Sequence, residues 1–197
     1  MAVCTGSVLG LSERDRVLPI ASMFHANVWG FPYAAWMSGA DLILPGRCLQ
    51  PEALAKLIAS ERPTVSGGVP TIWSEILRHA ETSPVDLSSL GFVLCGGAAV
   101  PRALMEAMDR RGVRIVQVWG MTETSPLGAV SIPPVGTPAD EQMDWRTRTG
   151  RLVYGVEARV IDGGRDLHGA PGGPRGGGDR RARRALVGAA AFVRGAQ

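Results

Sequence analysis

Three short apolar runs in this chain each stop in a loop of small residues. Thr64-Val65-Ser66 leads into Gly67-Gly68-Val69-Pro70, Phe92-Val93-Leu94-Cys95 into Gly96-Gly97-Ala98-Ala99-Val100-Pro101, and Val113-Arg114-Ile115-Val116-Gln117-Val118 into Trp119-Gly120. Helical patterns alternate with them, over about 51–60, 71–79 and 102–111. Short β-branched runs alternating with helices of about ten residues are the mark of a parallel sheet built from βαβ units. Such crossovers are right-handed, so the strand ends point the same way and the three loops share one rim. Ligands of open α/β sheets sit beyond that rim, at the carboxyl ends of the strands. Tight turning without a ligand is the competing account of the glycines, which are common at βα junctions.

Further strands are expected at Val17-Leu18-Pro19-Ile20 and Asp41-Leu42-Ile43-Leu44-Pro45. Between them, Ala26 to Met37 carries large apolar residues at helical spacing, with Pro32 as a kink. The third small-residue loop continues as Met121-Thr122-Glu123-Thr124-Ser125-Pro126, where the proline is expected to halt regular structure. Its residue types suit a nucleotide: a flat ring for a base, a hydroxyl for a phosphate, a carboxylate for Mg²⁺.

Charge is unevenly placed. The net charge is +3, yet residues 163–197 hold seven arginines against two aspartates, a local +5 that leaves the first 162 residues at −2. The body is no polycation, so nucleic acid is not its expected partner. The chain divides at that point into 1–162, a partial domain, and 163–197, a Gly/Arg-rich tail. The tail has ten glycines and too little apolar area to offset its backbone entropy, so it is expected to be disordered. Its composition fits out-of-frame translation of a GC-rich gene better than an RNA-binding segment. Cys4, Cys48 and Cys95 lack metal-site spacing and suit a reducing compartment. No apolar run is long enough to span a bilayer. The N-terminus lacks the basic and apolar regions of a secretory signal, so a cytoplasmic protein is expected.

Four segments in order carry a resemblance to a known family: Met23-Phe24-His25-Ala26-Asn27-Val28-Trp29-Gly30, Gly67-Gly68-Val69-Pro70-Thr71-Ile72-Trp73, Cys95-Gly96-Gly97-Ala98-Ala99-Val100-Pro101 and Trp119-Gly120-Met121-Thr122-Glu123-Thr124-Ser125-Pro126. Over residues 1–162 the chain resembles the adenylate-forming superfamily, and most closely its long- and medium-chain fatty-acyl-CoA synthetases. The resemblance implies an α/β fold, an incomplete parallel βαβ sheet layer from the large N-terminal domain. It implies ATP (bound as AMP) and Mg²⁺ as cofactors of the parent enzymes, with fatty acid and CoA as their partners.

By the same resemblance, Trp119 stacks on adenine where the family usually has Tyr, and Gly96, Gly97, Ala98 and Gly120 shape the nucleotide floor. Thr122 binds a phosphate oxygen, Glu123 holds Mg²⁺, and His25 sits near the reacting carboxylate. Trp29 guards the acyl tunnel, which Gly68, Val69 and Pro70 also line. Taken from the residues alone, the competing accounts are a surface acid for Glu123, a hydrogen-bonded core histidine for His25 and ordinary packing for Trp29. In a helix, His25 and Trp29, four apart, would share a face.

The family's phosphate loop with its lysine has no counterpart. Lys56 is the only lysine and lies in an expected helix. Arg148-Thr149-Gly150 is followed by Arg151, not by the Asp that binds ribose, and the small C-terminal domain with its lysine has no match either. The expectation is therefore a central fragment that forms no acyl-adenylate alone and binds neither nucleotide nor metal tightly. The alternatives are a non-catalytic nucleotide- or acyl-binding module derived from the same fold, and an RNA-binding protein acting through its arginine tail.

Overall fold

The computed structural model describes residues 9–154, 156–162, 165–166 and 191–195. Its main sheet, among the described residues, has seven strands: β1 (Arg16–Ile20), β2 (Asp41–Leu42), β3 (Val65–Gly68), β4 (Phe92–Cys95), β5 (Arg114–Gly120), β6 (Leu127–Val130) and β7 (Arg151–Leu152). They lie in the order β2-β1-β3-β4-β5-β6-β7. β1 to β5 are parallel, as the alternating pattern requires, and Ile20, Gly68 and Cys95 stand in register.

β6 and β7 are antiparallel to their neighbours. Pro126 follows a cis peptide bond and opens onto β6 instead of ending regular structure. The fold is thus α/β with a mostly parallel sheet.

The helices are α1 (Phe31–Ser38), α2 (Pro51–Glu61), α3 (Pro70–His79), α4 (Arg102–Asp109) and the short α5 (Gln142–Arg146). Proline stands in the first turn of α1, α2 and α3, where its missing N–H has no helical partner to lose. Strand residues alternate between two cores. Ile115 of β5 joins Leu18, Ile58, Trp73, Val93 and Met105 on the side of α2, α3 and α4, while Val116 and Val118 join Phe31, Leu94 and Leu127 on the other.

The stretch expected as one helix from Ala26 to Met37 is two pieces. The turn Ala26–Trp29 is left-handed at Asn27, Val28 and Trp29, with φ of 50°, 52° and 56°. Gly30 at φ 77° ends that turn, and Pro32 lies in the first turn of α1 rather than kinking its middle. Left-handed backbone costs roughly 1–2 kcal/mol per non-glycine residue. Here it is held by Val28 N–H on the His25 carbonyl (3.0 Å), Gly30 N–H on the Asn27 carbonyl (3.1 Å) and burial of the Val28 side chain.

Of the tail, residues 165–166 (β9) and 191–195 (β10) are strands on either side of β8 (Val156–Asp162). The rest of the stretch expected to be disordered lies outside the described residues.

Candidate active site

The exits of β3, β4 and β5 meet at one rim, and a cleft of about 90 Å³ opens beside them. One wall is His25 and Trp29, brought together by the left-handed turn and not by a helix face. The other is Trp119, Gly120, Met121 and Thr122, and Leu94, Val118 and Leu127 from the sheet form its apolar base with Gly97 and Pro126.

Six of the site residues expected from the sequence therefore line one cavity: His25, Trp29, Gly97, Trp119, Gly120 and Thr122. Val69 stands beside it. A β-carbon added at Gly97 would come within 3.3 Å of Val69 Cγ1 and 4.0 Å of Trp29 Cζ2, and Gly97 has φ +80°, which favours glycine. Gly68 is buried in β3, and Pro70 is buried in the first turn of α3. Ala98 is exposed on the turn after β4. Gly96 is buried below it, and its missing side chain has an internal cause, since a β-carbon there would meet the Val118 carbonyl at 2.7 Å.

Glu123 lies in the 3₁₀ turn Thr122–Thr124, exposed to solvent and outside the cavity lining. Among the described residues no group of three His, Cys, Asp or Glu side chains could hold a metal ion. Mg²⁺ needs no such cage, because it is bound through one or two carboxylates together with phosphates and water. A single open carboxylate next to Thr122 fits that donor set.

Two buried polar residues missed in the sequence support the surroundings of the cleft. Thr124 is buried; its hydroxyl accepts the Met121 N–H at 2.8 Å and faces the carbonyls of Met121 (2.9 Å) and Pro126 (2.7 Å). Gln117, buried in β5, accepts the Val100 N–H at 3.0 Å and donates to the Arg148 carbonyl at 2.8 Å. A polar residue inside a β-branched run was the available signal for Gln117. Thr124 had none.

A mostly parallel sheet with a ring, glycine turn and hydroxyl gathered at its carboxyl rim has the layout of open α/β domains, whose ligands sit beyond the carboxyl ends of the strands. The chain belongs to the AMP-binding enzyme family, which matches residues 1–176. It is 43% identical over 168 residues to a 3-methylmercaptopropionyl-CoA ligase of Ruegeria lacuscaerulensis, covering 83% of this chain and 31% of that protein. It is 40% identical over 166 residues to a medium-chain-fatty-acid–CoA ligase of Ectopseudomonas oleovorans, covering 82% and 30%. Among solved structures it superposes on a long-chain-fatty-acid-CoA ligase from Archaeoglobus fulgidus with a TM-score of 0.71 at 26% identity, over 84% of this chain and 34% of that one. The chain thus spans about a third of the length of these acyl-CoA ligases. No helix among the described residues is long and apolar enough to cross a membrane.

Proposed function

We infer that this chain is the central part of the adenylation domain of an ATP-dependent fatty-acid–CoA ligase, carrying the nucleotide and acyl walls of the site. In the reaction of such a ligase, a fatty-acid carboxylate oxygen attacks the α-phosphorus of ATP and pyrophosphate leaves, giving an acyl-adenylate. The thiol sulfur of CoA then attacks the acyl carbon, the thiol proton is lost, and AMP leaves. The observation that supports the reading is the cleft itself, which His25, Trp29, Gly97, Trp119 and Thr122 line together.

In this reading the Trp119 face takes adenine, with Gly96, Gly97, Ala98 and Gly120 beneath, and the Thr122 hydroxyl donates to a phosphate oxygen. His25 lies toward the reacting carboxylate, and Trp29, Gly68, Val69 and Pro70 border the acyl chain. Glu123 would hold Mg²⁺, which when bound neutralises phosphate charge. The single lysine is engaged elsewhere: Lys56 pairs with Glu52 at 2.7 Å on the exposed face of α2. Phosphoryl transfer depends on positioning and charge neutralisation, and the lining holds no lysine or arginine. At about 90 Å³ the cleft is also well below the ~300 Å³ of sites that enclose a small ligand. The chain alone therefore binds AMP weakly and turns nothing over.

ATP–pyrophosphate exchange with a fatty acid tests this. The purified chain is expected to stay at background, with AMP binding detectable only at millimolar concentration. Exchange well above background overturns the inactive-fragment reading. Tight, Mg²⁺-dependent AMP binding without exchange favours instead a non-catalytic nucleotide-binding module.

A further inference from the structure

We propose that Gln117 is a positioning residue of the nucleotide cleft, holding the glycine turn after β4 at a fixed height against Trp119. The inference rests on reading the cleft as a nucleotide site. A primary amide inside a β-branched strand is unfavourable unless its hydrogen bonds are made. Here both ends of the amide are engaged, and by different segments. Oε1 accepts the Val100 N–H at 3.0 Å, and Nε2 donates to the Arg148 carbonyl at 2.8 Å. The Gln117 backbone carbonyl also accepts the Ser131 N–H at 2.9 Å, at the end of β6. One residue thus ties together the turn leaving β4, β5 itself, the end of β6 and the stretch that leads to β7.

Its position gives this tie a consequence for the cleft. Gln117 and Trp119 are two apart on β5, so they share a face of the strand. Gly97, Ala98 and Ala99 are exposed, and Val100 is the first buried residue after them. The turn therefore takes its height over the sheet from Val100, and the Val100 backbone takes it from Gln117. The Arg148 N–H bonds the Trp145 carbonyl at 3.2 Å, and its guanidinium lies over the Trp145 ring, 4.5 Å from the centroid. A gap between a ring and a backbone turn is what determines whether a planar base fits.

The test uses the whole chain and two substitutions. Gln117→Met keeps the length and removes both hydrogen bonds; Gln117→Glu keeps an acceptor for Val100 and loses the donor to Arg148. Amide hydrogen exchange is followed over 96–101 and 147–150, and AMP and decanoate are titrated separately by NMR. Gln117→Met is expected to speed exchange in both segments and weaken AMP roughly tenfold or more, as expected when a buried N–H loses its acceptor, while decanoate affinity stays within about twofold because its wall makes no bond to this amide. Gln117→Glu is expected to speed exchange only over 147–150 and to keep most AMP affinity. Unchanged exchange over 96–101 in folded Gln117→Met overturns the inference. So do AMP and decanoate affinities that fall together in step with the melting temperature. If Gln117→Met does not fold, Gln117→Glu decides, and AMP binding lost with 96–101 unchanged counts against it. A wild-type chain that shows no AMP binding overturns the reading of the cleft, whereas the exchange data separately report whether Gln117 holds the turn.

Discussion

The indole of Trp119 fills the space that a side chain at Gly128 would take. A β-carbon added at Gly128 would stand 2.5 Å from Trp119 Cζ3 and 2.6 Å from Cε3. The hairpin of β5 and β6 thus gives the ring a glycine to lie on, and Gly128→Ala must push it away. The expected result is weaker AMP binding with a stability loss of about 1–3 kcal/mol from overpacking. Trp119→Ala is expected to weaken AMP by about 1–3 kcal/mol of lost stacking, while Trp119→Tyr keeps most of it. Isothermal titration and urea melts of the three variants separate the effects. AMP affinity in Gly128→Ala equal to wild type would show that ring placement does not matter.

Arg146 donates two hydrogen bonds to the Asp109 carboxylate, at 2.6 and 2.9 Å, and a third to the Ile115 carbonyl at 3.3 Å. This pins α5 to α4 and to the start of β5. Arg146 is 8% exposed, so removing Asp109 strands a buried cation. Asp109→Ala is expected to cost about 2–4 kcal/mol, below the 3–5 of a wholly buried pair because the Asp109 side chain stays 34% exposed. Replacing both partners, as Arg146→Met with Asp109→Leu, is expected to recover much of the loss. Urea unfolding of the single and double variants gives the answer, and additive losses would count against the pair.

The sheet from β3 to β5 was legible from its short apolar and β-branched runs, but two of its strands run further than those runs suggest: Gly67 and Gly68, expected as a loop, complete β3, and Trp119 and Gly120 complete β5. The site loops followed, since their residues sit at strand ends. Less legible were features set by contacts distant in sequence. The left-handed turn at Asn27–Trp29 contradicts local preference, Val28 above all, and only its surroundings hold it. β6 was obscured by Pro126, read as a stop although a proline can precede an antiparallel strand. α5 is too short for a periodic pattern, and the role of its Arg146 depends on Asp109, 37 residues earlier. The cleft needed the wall from Trp119 to Thr122, which is continuous in sequence, and the His25–Trp29 wall, which reaches it only in three dimensions.

Burial of Cys95 at the end of β4 pushes its thiol up to about 12. In the unfolded chain a thiol ionises near 8.5. Below that value both states are protonated and the contribution is constant. Between it and about 12 the unfolded state loses the proton first, so stability falls as pH rises, with a slope approaching about 1.4 kcal/mol per unit. Cys95→Ala is expected to flatten that slope between pH 9 and 11. Iodoacetamide at pH 8 should modify exposed Cys48 and leave Cys95 untouched until urea is added. Peptide mass mapping reads the second outcome, and rapid alkylation of native Cys95 would contradict its burial.

α1 is apolar on both of its faces. Phe31, Ala34 and Ala35 pack inward, while Tyr33, Trp36 and Met37 lie on the outer face at helical spacing, with Trp36 84% exposed. Phe24 and Leu44 are also exposed. A helix apolar all round belongs to the interior of a larger structure, and exposed apolar patches of this kind drive association. The chain alone is therefore expected to self-associate as its concentration rises. Trp36→Lys with Met37→Glu is expected to reduce association while changing the melting temperature by only a few degrees, because neither side chain contributes to the core. Sedimentation velocity over a hundredfold concentration range measures this. A wild-type chain that stays monomeric throughout would mean that the outer face of α1 does not drive association.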